Sequence, residues 1–266
     1  MWLDTPAATS KQDLVLGAPL VNVSGSLGFT SDRRAVPAVE HLGAFITNPI
    51  SLRPRVPATN RACIPFPGGF LLHTGHANPG ISHAIRRYRR RWAAAEIPVI
   101  VHLLVDSPGT LAEMVSRLEG LENILAIEVG LPPDMDSALL KEALAAGVGE
   151  LPLIPCVSPE QVPLLLESLK DTQPAAVHLV EPRGALPDLQ GGVVSGRLYG
   201  PAIFPVMLAA ARVLTQAGLR VIANGGIRAR WQVDALLDAG VMAVGLGSAL
   251  WGVEGGFSLV NLKPEP

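Results

Sequence analysis

Short apolar runs alternate with amphipathic segments along most of the chain. Eight runs read as buried strands, at residues 19–23, 44–47, 98–104, 124–129, 151–157, 175–180, 221–223 and 241–244. Helices are predicted at residues 35–42, 81–95, 111–118, 136–146, 202–217 and 227–239, with two more opening at Ser158 and Ala249. Buried strands that alternate with helices are typical of parallel sheets, so eight such units predict one (β/α)8 barrel. A doubly wound open sheet is the alternative.

Two stretches interrupt this alternation. Residues 49–80 show no convincing periodicity and are rich in proline and glycine, and residues 181–200 read as a second, glycine-rich loop. A loop of about 30 residues inside a compact domain usually has a function, as a lid or a binding loop. We therefore expect residues 1–266 to form a single barrel domain, with the long loop 49–80 over the face at the carboxyl ends of the strands.

The composition fits one large cytoplasmic α/β domain. The chain has 266 residues, of which 48% are hydrophobic and 17% charged, and its net charge is −2. This charge gives no electrostatic reason to expect nucleic acid or a membrane surface as partner. Two cysteines far apart in sequence indicate a reduced compartment. No signal peptide and no apolar stretch of about 18 residues is recognised, so no membrane association is predicted.

Two glycine turns near the end of the chain carry the clearest functional signal. Asn224-Gly225-Gly226 follows one predicted strand, and Gly245-Leu246-Gly247-Ser248 ends the next. Neighbouring parallel strands bring such turns together, and their free backbone amides bind a phosphate group. In (β/α)8 barrels this is the usual phosphate site after strands 7 and 8. The alternative is that both turns only close loops.

Several segments, in the same order along the chain, together resemble the dihydroorotate dehydrogenase family, whose members are FMN-dependent barrels of pyrimidine biosynthesis. These are the strand end Leu20-Val21-Asn22-Val23-Ser24-Gly25, the strand Gly43-Ala44-Phe45-Ile46-Thr47-Asn48, the loop end Gly75-His76-Ala77-Asn78-Pro79-Gly80, the segment Gly191-Gly192-Val193-Val194-Ser195-Gly196-Arg197, and the two glycine turns. The resemblance implies bound FMN, with the protein providing position and electrostatics for the flavin. It also implies a small-molecule substrate, a cytoplasmic location and a homodimer.

The resemblance assigns the cofactor contacts to the turns and to two further segments. Ser24 and Gly25 are expected to lie against the flavin ring, and the phosphate is expected on the backbone amides of the glycine turns. The predicted cofactor-binding residues are Ser24, Gly25, Ser195, Gly196, Asn224, Gly225, Gly226, Gly245, Gly247 and Ser248.

The reacting groups of the family are replaced in this chain. Asn48 stands where the family has a lysine on the second strand, and Cys156 stands where it has a lysine on the fifth. A thiol does not supply the positive charge with which that lysine stabilises the reduced flavin. The segment that carries the family's cysteine or serine base reads Glu128-Val129-Gly130-Leu131-Pro132-Pro133-Asp134 here, with no thiol or hydroxyl. Oxidation of dihydroorotate by the family mechanism is therefore not expected.

A new polar set takes the place of the missing groups. His102, Glu128 and Cys156 come from successive strands and are predicted, with Asn48, as catalytic residues of a rebuilt site; His73, His76, His178 and Glu181 complete the set. Histidine is suited to acid–base catalysis, because its usual pKa lies near neutral pH. No metal site is predicted, because no local ligand spacing supports one.

Three functions remain open at this point. The first is an FMN-dependent oxidoreductase with a substrate other than dihydroorotate or with an altered mechanism. The second is a non-catalytic relative that acts as a binding or partner subunit. The third is a barrel that binds a different phosphorylated metabolite.

Overall fold

Eight parallel strands form a nearly closed (β/α)8 barrel in the computed structural model, which describes residues 14–31, 37–188 and 191–251. The described strands are β1 (Leu20–Asn22), β2 (Phe45–Ile46), β3 (Ile50–Ser51), β4 (Ala62–Phe66), β5 (Gly69–His73), β6 (Val99–Leu104), β7 (Ile124–Gly130), β8 (Leu153–Val157), β9 (Val177–Leu179), β10 (Arg183–Pro187), β11 (Val193–Tyr199), β12 (Val221–Asn224) and β13 (Ala243–Leu246). Around the barrel the order is β1-β13-β12-β9-β8-β7-β6-β2, and β3 pairs with β6 beyond β2. The predicted barrel is confirmed.

Helices connect the barrel strands on the outside. They are α1 (Ile81–Ala93), α2 (Pro108–Ser116), α3 (Ser137–Ala146), α4 (Val162–Thr172), α5 (Phe204–Gln216) and α6 (Arg230–Asp238). The helix predicted at 35–42 is instead a short 3-10 helix, Pro37–His41, and residues 35–36 lie outside the described ranges. The helix predicted to begin at Ala249 is described only as a 3-10 turn, Ser248–Trp251. None of the described helices has the length and apolar character needed to cross a membrane.

A side-chain amide helps to close the barrel between β1 and β2. The backbones of these strands share a single parallel bridge, between Val21 and Ala44. Beside it, Asn22 Nδ2 donates to the carbonyl of Ile46 at 2.7 Å, and the backbone N–H of Ile46 donates to Asn22 Oδ1 at 2.7 Å. The amide of Asn22 therefore takes the place of a missing ladder pair, which explains why this residue is polar and buried.

The barrel strands bury their two faces in two separate cores. One core packs the outer face against the helices. The other fills the barrel with mostly small apolar side chains, among them Val21, Ile46, Ile100, Ala126, Ile154, Ala176, Ile222 and Ala243. Because side chains alternate along a strand, the residue two positions after each of these apolar residues also points into the barrel. On β6, β7, β8, β9, β12 and β13 these residues, which we call the polar ring, are His102, Glu128, Cys156, His178, Asn224 and Gly245.

The two stretches without periodicity form a second sheet. β4 and β5 make a hairpin within residues 49–80, β10 and β11 make another within 181–200, and antiparallel pairing joins them in the order β10-β11-β5-β4. The segment 49–80, predicted as a long loop over the carboxyl ends of the strands, thus contains three short strands, β3, β4 and β5. Both hairpins follow the carboxyl ends of barrel strands, β2 and β9, so the small sheet belongs to the end of the barrel that carries the polar ring.

Candidate functional site

A buried carboxylate at the centre of the polar ring is held by two imidazoles. Glu128 and His102 are partners in register on β7 and β6. His102 Nδ1 contacts Glu128 Oε2, and His178 Nδ1, from β9, contacts the other oxygen, Oε1. The exposed fraction is 0% for Glu128, 1% for His178 and 8% for His102. His102 is therefore the more accessible of the two rings.

The charge of this group follows from its contacts. Burial by itself raises the pKa of Glu128, but the charge of His178 and the hydrogen bonds from both imidazoles outweigh it and hold the pKa well below its usual value. An ionised carboxylate only accepts hydrogen bonds, so each imidazole must carry a proton on its Nδ1. A neutral imidazole with its proton on Nδ1 has an acceptor at Nε2, which is the tautomer of the histidine in a catalytic triad.

Cys156 lies beside this group and is held as a neutral thiol. It is in register with His178 on one side and with Gly130 on the other. Burial, and then the charge of Glu128, raises the pKa of Cys156 well above its usual value. Since the thiolate is the nucleophile and the metal ligand, the neutral thiol is suited to neither role.

The geometry around Cys156 also bears on metal binding. One ligand atom from each of His102, Glu128 and Cys156 lies within 4.8 Å of the others. However, His102 and Glu128 are hydrogen-bonded to each other, and a metal would need that imidazole nitrogen and carboxylate oxygen to face the ion instead. The contact between His102 and Glu128 is a hydrogen bond.

Two buried polar atoms of the ring have no hydrogen-bond partner in the described part of the chain. They are His178 Nε2 and Asn224 Oδ1. Asn224 is 1% exposed, and its Nδ2 donates to Glu181 Oε1 at 3.2 Å. Buried polar atoms without a partner are uncommon and require an explanation, of which a ligand is one.

The glycine turns end β12 and β13 side by side, since Asn224 and Gly245 are partners in register. Gly225 and Gly226 have φ values of 103° and 75°, which favour glycine. A methyl group at Gly226 would lie 2.7 Å from the backbone nitrogen of Phe204, at the start of α5. The turn therefore requires glycine for its backbone conformation and for its close approach to α5.

The amides of these turns are available to a ligand. Among the described residues, the backbone N–H groups of Gly225, Gly226, Gly247 and Ser248 donate to no protein acceptor. By contrast, the N–H groups of Arg228 and Ala229, before α6, are capped by Gln232 Oε1 at 2.6 and 2.9 Å. Free amides on two adjacent turns fit an anion such as the phosphate of FMN.

Two of the predicted cofactor contacts, Ser195 and Gly196, lie in the small sheet. Ser195 and Gly196 are in the middle of β11, opposite Ala185 and Gly184 of β10. The turn at Gly225 and Gly226 instead lies against Ile203, Phe204 and Met207, seven residues or more further along the chain. The assignment of Ser195 and Gly196 to the cofactor stays a prediction.

Polar groups after β1 and β2 hold the backbone together. Ser24 Oγ donates to the carbonyl of Thr47 at 2.8 Å. Asn48 Oδ1 accepts from the N–H of Gly28 at 3.0 Å, and the N–H of Asn48 donates to the Gly28 carbonyl at 2.7 Å. Gly25 has φ 87°, and a methyl group there would meet no atom within 4 Å, so there is open space beside this turn. Asn48 thus has a structural role, whether or not it also contacts a ligand.

The small sheet adds a basic group that the sequence pattern does not reveal. Arg183 and Arg197 are directly opposite each other on β10 and β11, and Arg197 Nη1 donates to the carbonyl of Glu181 at 2.7 Å. His76 is exposed, but desolvation by neighbouring protein atoms and then the positive charges around it lower its pKa to about 4; these charges belong to His102, Arg197, Arg55 and Arg183. No local pattern could reveal the Arg183–Arg197 pair, because it depends on the register of a hairpin.

Comparison with known proteins identifies relatives over most of the chain. The catalytic subunit of dihydroorotate dehydrogenase B (NAD(+)) from Desulforudis audaxviator is 28% identical, over 89% of this chain and 84% of its own length. The corresponding subunit from Pelobacter propionicus is also 28% identical, with the same coverage. No protein-family model matches the chain.

A solved structure supports the fold. A dihydroorotate dehydrogenase from Eimeria tenella, in complex with ferulenol, superposes with a TM-score of 0.64 at 13% identity, over 86% of this chain and 75% of that one. The likeness to it is one of fold. The chain is therefore similar in sequence, over most of its length, to dihydroorotate dehydrogenases, the family that its motifs resemble.

Proposed function

We propose that this chain is a dihydroorotate dehydrogenase-like flavin oxidoreductase that binds FMN at the carboxyl ends of β12 and β13. The observation that carries the proposal is the pair of adjacent glycine turns with free amides, in a relative of flavin-dependent dehydrogenases. The phosphate would lie on the amides of Gly225, Gly226, Gly247 and Ser248. The flavin would extend from there over the polar ring, towards the open space beside Gly25.

The polar ring provides a candidate acid–base group. Bound FMN supplies the acceptor for a hydride. His102 would take up the proton that the substrate loses, at Nε2, since its Nδ1 is held by Glu128. Glu128 would stabilise the imidazolium that forms, which is the role of the carboxylate in a catalytic triad. Gly130 leaves room for this ring, because a methyl group there would lie 2.6 Å from His102 Nε2.

The substrate is proposed to be a small molecule other than dihydroorotate, or dihydroorotate handled by a different mechanism. Both lysines in the described ranges lie in helices, Lys141 in α3 and Lys170 in α4. Cys156, at the position of one family lysine, is neutral. A cytoplasmic homodimer is proposed by analogy with the family.

Purification of the full chain tests the cofactor. A yellow protein from which about one FMN per chain is released, identified by mass, is the expected result. A colourless protein that does not take up FMN on reconstitution would overturn the proposal. In that case the second function, a binding subunit without flavin, or the third, a site for another phosphorylated metabolite, would apply.

Anaerobic spectroscopy of the FMN-loaded protein tests the substrate. Dithionite should bleach the flavin, and dihydroorotate should not. Bleaching by dihydroorotate at an ordinary enzymatic rate, on the order of 1–10³ per second, would show that the replacement of the lysines does not prevent the family reaction.

A further inference from the structure

Two arginines stand side by side on the small sheet without a counter-ion. Arg183 of β10 and Arg197 of β11 are directly opposite each other on antiparallel strands, where the Cβ atoms of such a pair are about 5 Å apart. Like charges in this arrangement destabilise a sheet. In the described part of the chain, neither guanidinium forms an ion pair with a carboxylate. The repulsion within the pair is therefore left for a ligand to compensate.

The acidic groups nearby are used in other ways. Glu160 Oε1 accepts from the backbone N–H of Arg183 at 3.1 Å and not from its guanidinium. Desolvation and then the charge of Arg197 lower the pKa of Arg183, and the opposite effect of Glu160 does not cancel them. A third arginine, Arg55, is paired with Asp106 at 2.5 Å. The open positive charge at this end of the barrel thus belongs to Arg183 and Arg197.

The arginine pair is connected to the polar ring through Glu181. Arg197 Nη1 donates to the carbonyl of Glu181 at 2.7 Å, and the carboxylate of Glu181 accepts from Asn224 Nδ2 at 3.2 Å. Arg197 is partly buried, whereas Arg183 is exposed. The two guanidiniums therefore extend from the edge of the candidate site towards its centre.

Beside the arginines, the same face of the small sheet is apolar. Leu72 of β5 is opposite Arg197. Two residues further along β11, Tyr199 is opposite Phe70, and their rings stack with the centroids 5.3 Å apart. Burial and then the charge of Glu181 raise the pKa of Tyr199, which puts this face on the side of Glu181. The face offers a carbon skeleton an apolar surface that ends at two positive charges.

We infer that Arg183 and Arg197 bind a doubly negative acidic group of the substrate, a pair of carboxylates or a phosphate, at the small sheet. This inference rests on the proposed function and names the charge that the substrate carries away from its reacting carbon. Guanidinium forks match the oxygens of both groups, and a single negative charge would leave one arginine uncompensated. The charges that act on His76 come from His102 as well as from this pair, so one small molecule can reach both.

Small anions test the inference on the full chain at constant ionic strength. Binding is measured calorimetrically for malonate and inorganic phosphate, and for propionate, which carries one charge. The tighter of the two dianions should bind at least about tenfold more tightly than propionate, because only a dianion compensates both guanidiniums. Tighter binding of malonate indicates a dicarboxylate, and tighter binding of phosphate indicates a phosphate ester. Equal binding of all three anions would overturn the inference.

Variants assign the binding to the arginine pair. Arg183→Gln and Arg197→Gln should each weaken the tighter dianion about tenfold. Arg89→Gln is the matched control, since Arg89 is exposed on α1, and its affinity should equal that of the wild type. If Arg197→Gln does not fold, Arg183→Gln still decides, because Arg183 is exposed. A dianion that Arg183→Gln binds as tightly as the wild type contradicts the inference, and phosphate with this behaviour is held by the glycine turns.

FMN binding by the same proteins separates this inference from the proposed function. If FMN does not bind but malonate does, and Arg183→Gln weakens malonate about tenfold, the anion site stands and the flavin function fails. If FMN binds and neither arginine variant changes the affinity for any anion, the flavin function stands and the anion site fails.

Discussion

His102 and Glu128 are partners in register on adjacent parallel strands, and the imidazole Nδ1 is hydrogen-bonded to the carboxylate. No loop residue is needed for this contact. Each of the two residues lies two positions after an apolar residue that fills the barrel, so both side chains point into the barrel. The rigidity of the two strands fixes the ring. Since the other oxygen of Glu128 binds His178, one carboxylate orients both histidines of the site.

Replacing Glu128 by glutamine should destabilise the protein strongly. The amide oxygen accepts from one imidazole, but the amide NH2 then meets the Nδ1–H of the other. Losing a buried hydrogen bond to a charged group in this way costs about 1.5–3 kcal/mol, to be measured by urea unfolding. Glu113→Gln removes an exposed carboxylate paired with Arg117 and should change stability by less than about 0.5 kcal/mol. Similar losses for the two variants would argue against hydrogen bonds from both imidazoles to a buried Glu128 carboxylate.

A methyl group at position 130 should displace His102. In Gly130→Ala the new carbon would lie 2.6 Å from His102 Nε2, and such overpacking costs about 1–3 kcal/mol. Flavin reduction by a substrate of the loaded protein should slow about 100-fold if His102 is the acid–base group. Gly109→Ala is the control, because a methyl there meets no atom within 4 Å. A Gly130→Ala protein with unchanged stability and reduction rate would remove His102 from the proposal.

The pKa of His76 should make the stability of the protein pH-dependent. Desolvation and nearby positive groups lower it from 6.5 to about 4 on folding, and because the residue is exposed, solvent screening keeps the resulting change in stability small. Between these values the unfolded chain binds the extra proton, so stability is full above pH 6.5 and is lost as the pH falls towards 4. His76→Gln should flatten the decrease in melting temperature across this range. Parallel curves for variant and wild type would contradict the assignment.

The barrel and the centre of its site could be predicted from the sequence for a common reason. Buried parallel strands appear in the sequence as short apolar runs. A polar residue at the end of such a run lies at the carboxyl end of the barrel. This is how His102, Glu128 and Cys156 could be grouped, and the structure brings them together. A buried strand can be predicted because its apolar residues are neighbours in the sequence.

The small sheet could not be predicted in the same way. Its central pairing joins Leu72 of β5 to Arg197 of β11, more than 100 residues apart, and its half-exposed strands lack a strong apolar pattern. The unpartnered Nε2 of His178 could not be predicted either, because it depends on which ring nitrogen contacts Glu128. Such properties arise from tertiary contacts, which local periodicity does not encode.

The two cysteines should differ sharply in reactivity. Cys63 is exposed on β4, whereas Cys156 is buried and its pKa is raised by burial and by Glu128. One thiol per native chain should therefore react rapidly with a thiol reagent, and the second only after denaturation. Cys63→Ser should abolish the rapid phase. A rapid phase that persists in Cys63→Ser would mean that Cys156 is accessible and ionised.

Gly226→Ala should weaken binding of the phosphate by more than the strain of a positive φ at an alanine can explain. Gly226 has φ 75°, and an added methyl would lie 2.7 Å from the backbone nitrogen of Phe204, so the turn must move away from α5. Gly218→Ala is a matched control, since Gly218 has φ 80° but a methyl there meets no atom within 4 Å. Both variants should lose about 1 kcal/mol of stability from the strained φ alone.

Binding of FMN, measured by quenching of flavin fluorescence, distinguishes these two glycine variants. Affinity should fall at least about tenfold in Gly226→Ala, which corresponds to the loss of roughly one amide hydrogen bond to the charged phosphate. It should remain unchanged in Gly218→Ala, because that residue follows α5, away from the strand ends that carry the turns. Equal affinities in the two variants would place the phosphate elsewhere on the barrel, since the turn at Gly226 would then have moved without effect on the ligand.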